Sequence, residues 1–121
     1  MAAVIEVRTY TTHPGKRDEV IELLEGRLFP EMERLSIKVL GCYPSVEDAD
    51  TFVWLRAFPD AASREQLTKD LYGGRLWTEE LAEPIVSRIA SMRVATVEDT
   101  TGLWEGWPRT TRPGAAEAAR R

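Results

Sequence analysis

The stretch Ile5-Glu6-Val7-Arg8-Thr9-Tyr10-Thr11-Thr12, followed at once by His13-Pro14-Gly15, decides the fold. From Ala3 to Thr12 the residues alternate, so Ile5, Val7 and Thr9 fall on one side of a strand and Glu6, Arg8 and Tyr10 on the other. His13-Pro14-Gly15 breaks the strand. From Lys16 the period turns helical, with Val20, Leu23, Leu24, Leu28, Met32 and Leu35 in one apolar stripe. Asp18 and Glu19 sit in the first turn, where carboxylates complement the helix dipole. Pro30 should kink this helix or split it.

The remainder repeats the arrangement with a hairpin in between. A second strand is expected over Ile37–Tyr43, a polar turn over Pro44–Asp50, and a third strand over Thr51–Phe58, closed by Pro59-Asp60. Ser63 as N-cap, with Gln66 three residues on, opens a helix to about Leu71. Gly73-Gly74 interrupts it, helical character resumes from Leu76 to Ala90 with a kink at Pro84, and a last strand covers Ser91–Glu98. The order β-α-β-β-α-β is the split βαβ, ferredoxin-like arrangement: α+β, a four-stranded antiparallel sheet with helices on one face.

Composition fits one domain. The chain has 121 residues, 43% hydrophobic and 30% charged, enough to bury a core without staples. Cys42, the single cysteine, excludes an intrachain disulfide framework and a multi-cysteine zinc site. A net charge of −4 argues against nucleic acid or an anionic membrane as partner. No apolar run reaches the roughly 20 residues that span a bilayer, and a charge interrupts the N-terminus before a signal-peptide core could form, so the protein is expected in the cytoplasm. The folded domain is expected over 1–98, with an extension over 99–121. Trp104 and Trp107 mark 99–108 as a segment that docks, and 109–121 is expected to be flexible.

The strands also suggest which face does what. The aliphatic sets Ile5/Val7 and Val53/Leu55/Ala57 are the natural cover for helices. That leaves Glu6, Arg8 and Tyr10 on the opposite face, with Phe52, Trp54, Arg56 and Phe58. A face both aromatic and charged suits a second sheet closing over it, which predicts a homodimer whose sheets meet face to face around a lined cavity. A plain dimer interface with charges at its rim is the simpler alternative.

The opening Ile5-Glu6-Val7-Arg8-Thr9-Tyr10, with its Pro14-Gly15 and helix, resembles the first strand of NIPSNAP family proteins. Phe52-Val53-Trp54-Leu55-Arg56-Ala57-Phe58, Ser63-Arg64-Glu65, Tyr72-Gly73 and Trp77 extend the resemblance over residues 4–98. The resemblance implies the dimeric α/β-barrel superfamily, whose members include cofactor-free monooxygenases, polyketide cyclases, lactone isomerases and haem-binding enzymes. Fold likeness alone does not choose among them.

The candidate chemistry lies on the charged face. Glu6, Arg8 and Tyr10 are spaced about 6.5–7 Å apart along the strand. Arg8 and Arg56 could hold a carboxylate or enolate, Tyr10 could donate a proton, and Glu6 could act as base. A structural ion pair fixing strand register is the competing reading, because a Glu beside two arginines is ionised and a poor base. His13, the only histidine, borders the expected barrel mouth as a third catalytic candidate or a single axial haem donor, although the polar, solvated character of such loops favours an exposed loop residue. Phe52, Trp54 and Tyr72, with Arg8 and Arg56, form the expected wall for a small hydrophobic or aromatic ligand. Cys42 reads as a small buried residue. No metal and no cofactor is called for. The expected function is acid/base chemistry of the cyclase, isomerase or cofactor-free monooxygenase type on an aromatic or enolisable substrate. A non-catalytic ligand- or haem-binding dimer and a purely structural dimer are the alternatives.

Overall fold

The computed structural model describes residues 2–101. Strand β1 (Val4–Thr12) leads into helix α1 (Arg17–Leu23), a π-helical stretch (Leu24–Leu28) and α2 (Phe29–Arg34). Strands β2 (Lys38–Pro44) and β3 (Thr51–Phe58) follow. Then come α3 (Ala61–Tyr72), a second π-helical stretch (Leu76–Leu81), α4 (Ala82–Val86) and β4 (Ile89–Glu98). The strands form one antiparallel sheet in the order β2-β3-β1-β4, the expected split βαβ topology.

Both helical crossovers carry a wide π turn shortly before a proline, Pro30 in one and Pro84 in the other. Proline lacks an N–H and its ring presses on the carbonyl four residues back, so the helix widens instead of breaking. The i, i+4 ladder Val20, Leu24, Leu28, Met32 stays buried through the wide turn. Ser36, with φ of 70°, then closes α2. Its N–H donates to the Glu33 carbonyl at 3.1 Å and the Ile37 N–H to the Met32 carbonyl at 2.8 Å, a Schellman closure between two core residues. The N-cap of α3 is Asp60, not Ser63: its carboxylate accepts the Ser63 N–H at 2.7 Å. The last strand begins at Ile89, two residues earlier than expected, because Ile89 pairs with Thr12 across an irregularity in register.

The helices cover the other face from the one the sequence suggested. Glu6, Arg8, Tyr10, Phe52, Trp54, Arg56 and Phe58 are all buried, and the four aromatic residues among them share one cluster with Val20, Leu24, Leu28, Met32, Leu71, Leu81 and Ile85. The uncovered face carries Ile5, Val7, Thr9, Val53 and Leu55, each only half-buried. Four aromatic side chains offer more apolar area than four aliphatic ones, and the charges among them are paired, so burying them is not prohibitive. The charged face therefore does not line a seam between two sheets; it lies inside the protomer.

The N-terminal end of β1 is tied by the Asp99 N–H, which donates to the Ala3 carbonyl at 2.9 Å. From residue 102 onward the expected docked and flexible segments lie outside the described residues.

Candidate functional site

Antiparallel register builds the site. Glu6 stands opposite Arg56, Arg8 opposite Trp54 and Tyr10 opposite Phe52. On the other flank of β1, Thr96, Val94 and Met92 of β4 stand opposite the same three residues. Helix α3 returns across the sheet so that Arg64, in its first turn, reaches down to Glu6.

Both oxygens of the Glu6 carboxylate are engaged. Oε1 accepts from Arg8 Nη1 at 2.5 Å and from Arg56 Nε at 2.8 Å, and Oε2 accepts from Arg64 Nε at 2.8 Å. Burial alone would raise this carboxyl group, but the charge of Arg56, the hydrogen bonds from Arg64 and Arg56 and the charge of Arg8 outweigh it. The net result lies below the ordinary glutamate value. Glu6 is thus ionised, with both oxygens occupied, and is placed to orient the three guanidinium groups, not to take a proton from carbon.

Two phenols complete the cluster. Tyr10 Oη accepts from Arg8 Nε at 3.1 Å, and Tyr72 Oη accepts from Arg56 Nη1 at 2.9 Å. Each hydroxyl keeps its own proton to donate. Burial pushes Tyr10 above the ordinary tyrosine value and the Arg8 charge only partly offsets this, so it is neutral around pH 7. Both guanidinium groups also lie against Trp54: the guanidinium carbons of Arg8 and Arg56 are 5.3 and 5.5 Å from its ring centre. Its indole N–H is buried and has no partner among the described residues. Phe52 is fully buried, edge-on to Tyr10 at 5.5 Å, and Tyr72 packs edge-on against Trp77 at 5.0 Å.

Residues 5–101 match the family model for NIPSNAP. The chain belongs to the NIPSNAP family. The match begins at the strand that carries Glu6, Arg8 and Tyr10. Solved structures agree with the fold. A NIPSNAP domain protein from Burkholderia xenovorans is 17% identical, with 81% of this chain and 95% of that chain covered and a TM-score of 0.71. A NIPSNAP family protein from Agrobacterium tumefaciens is 14% identical, with 82% and 94% covered and a TM-score of 0.73. A Bacteroides thetaiotaomicron protein described as a possible oxidoreductase is 11% identical, with 81% and 98% covered and a TM-score of 0.62. At such identities the likeness is one of fold. No curated protein matches the chain.

Of the sequence-derived candidates, this NIPSNAP protein gathers Glu6, Arg8, Tyr10, Phe52, Trp54, Arg56 and Tyr72 into one buried cluster. His13 is elsewhere. It is exposed in the turn after β1, its N–H bonded to the Arg88 carbonyl at 2.9 Å. Seven residues of strand separate it from Glu6, on the order of 20 Å. Arg64 is the member that sequence reading left without a role. Its signal was the position one turn into the helix that follows Arg56, and only the return of α3 over β1 turns that position into a contact. Among the described residues no group of three or more His, Cys, Asp and Glu side chains is placed to hold a metal. None of the described helices is long and apolar enough to cross a membrane.

Proposed function

We propose that this NIPSNAP protein is a small-molecule enzyme performing acid/base chemistry, of the isomerase or cyclase type, on an aromatic or enolisable substrate at the Arg8–Tyr10–Arg56–Tyr72 cluster. The observation that carries this reading is the Tyr10 hydroxyl: buried, neutral, and held by Arg8 Nε at 3.1 Å beside guanidinium groups that outnumber their carboxylate. A phenol so placed gives its proton to the carbonyl oxygen of the substrate, and the phenolate, stabilised by Arg8, takes one from the adjacent carbon, so the net change is a proton shift from carbon to oxygen. Glu6 is a positioning residue, and His13 takes no part. The uncovered Ile5/Val7/Val53/Leu55 face is the surface on which a second copy would pack, which makes the proposed homodimer a barrel with one cluster inside each protomer's own helix layer.

The test is deuterium exchange from D2O into the enolisable carbon of phenylpyruvate and of phenylacetone, followed by NMR. Exchange above the buffer rate, reduced about a hundredfold or more in Tyr10→Phe, is the expected result. Exchange no faster than buffer for both compounds, or unchanged in Tyr10→Phe, would overturn the reading.

A further inference from the structure

The helix layer stops short of β4. On the helix side of the sheet, Phe52, Trp54 and Arg56 of β3 are sealed, whereas Met92 and Val94 of β4 are 50% and 40% exposed. Met92 and Val94 stand directly beside Tyr10 and Arg8 in register. The helix-side face of β4 is therefore an open shelf running along the flank of the buried cluster. At one end of the shelf lies Arg64, its side chain 38% exposed, with Nη2 donating to Thr96 Oγ1 at 3.3 Å. Arg8 borders the middle, and the apolar Val94 and Met92 continue toward Tyr10.

Charge on this flank is unbalanced. Arg8, Arg56 and Arg64 share the single carboxylate of Glu6, and no other acidic partner of these three appears among the described residues. Hydrogen bonding is unbalanced in the same sense. Glu6 already accepts three hydrogen bonds, while the two phenols and the orphan Trp54 indole all have protons to give. A buried site with surplus cations and surplus donors is complementary to an anionic acceptor, and the adjoining apolar strip is complementary to a hydrocarbon body.

We propose that the shelf beside β4 seats an amphiphilic carboxylate, with its carboxylate between Arg8 and Arg64 and its aromatic or alkyl body over Val94 and Met92. This rests on reading the cluster as a ligand site and names the substrate class for it: organic acids, not neutral ketones or phenols. The carboxylate anchors the molecule at the Arg64 end, and its body runs toward the Tyr10 hydroxyl, where the proton shift takes place.

Calorimetric titration of the full chain with 3-phenylpropanoate, decanoate and the neutral 3-phenylpropanamide tests this. The acids should bind at least tenfold more tightly than the amide, and Arg64→Met should cost at least tenfold in acid affinity. Because Arg64 also bonds Glu6, a second variant guards against a folding effect. Val94→Asp, at an exposed position, places an internal carboxylate beside Arg8; it should abolish acid binding while the melting temperature holds or rises. Equal binding of acid and amide, no binding of either acid, or unchanged acid affinity in Val94→Asp would each overturn the proposal. Selective acid binding without deuterium exchange would leave the carboxylate seat standing and remove the proton-shift reading alone.

Discussion

The two faces of this sheet have exchanged the roles their residues suggest. The face under the helices holds a carboxylate and two strand arginines, Glu6, Arg8 and Arg56, all buried. The uncovered face holds Ile5, Val7, Val53 and Leu55, none fully buried. Charges can occupy a core when each is met by a partner, and aliphatic side chains can be left on a pleated surface when nothing larger competes for it. The comparison teaches that cover is decided by total apolar area and by pairing together, and not by counting charged residues along a strand.

The strongest way to break that comparison is to remove the pairing. Glu6→Ala leaves Arg8 and Arg56 buried with no carboxylate and should cost about 3–5 kcal/mol in urea unfolding. Leu55→Ala, at a half-buried position on the other face, should cost about 1 kcal/mol at dilute protein concentration. Similar costs for the two would mean that the covered cluster is not what stabilises the fold.

Acid sharpens the same contrast. The folded-state pKa of Glu6 lies below its unfolded value, so its stabilisation is complete above an unfolded carboxylate pKa of about 4.3 and is lost as pH falls through the folded value. The difference in melting temperature between the wild type and Glu6→Gln should therefore be constant near neutrality and shrink as pH falls below about 4. A gap that stays constant down to pH 2 would show that the carboxylate's charge contributes nothing.

A smaller effect is expected on the uncovered face. Leu55→Lys should change unfolding of the isolated protomer by no more than about 1 kcal/mol, yet it should shift sedimentation from dimer to monomer if a second copy packs there. A monomeric wild type would remove the proposed homodimer while leaving the cluster untouched.

The sequence showed which residues share a face but not which face is covered. Alternation in Ile5–Thr12 and Thr51–Phe58 places the strands, and the prolines mark where the helices deform. Alternation is symmetric between faces, however, and the partner that makes Glu6 tolerable inside, Arg64, lies 58 positions away in sequence. The form of the deformation at Pro30 and Pro84, a wide turn instead of a break, was equally hidden, because it depends on keeping Leu28 and Leu81 in the core. The choice of Asp60 over Ser63 as cap turned on a single turn of chain.

Cys42 gives the comparison its finest test, because it is an acid on the same covered face as Glu6, opposite Trp54 in register. Burial pushes both groups up. For Glu6 three guanidinium groups reverse the push; for Cys42 no cation does, and the negative charge of Glu25 adds to it, so the thiol is raised to about 11. At pH 8 its thiolate fraction should be about a hundredfold below that of an ordinary cysteine. Alkylation by iodoacetamide should be correspondingly slow and should climb toward pH 11, with Glu25→Gln giving only a slight acceleration. Rapid alkylation at pH 8 would place a cation near Cys42 and erase the contrast, since the covered face would then lower the pKa of every acid it holds and not only the one that the three arginines surround.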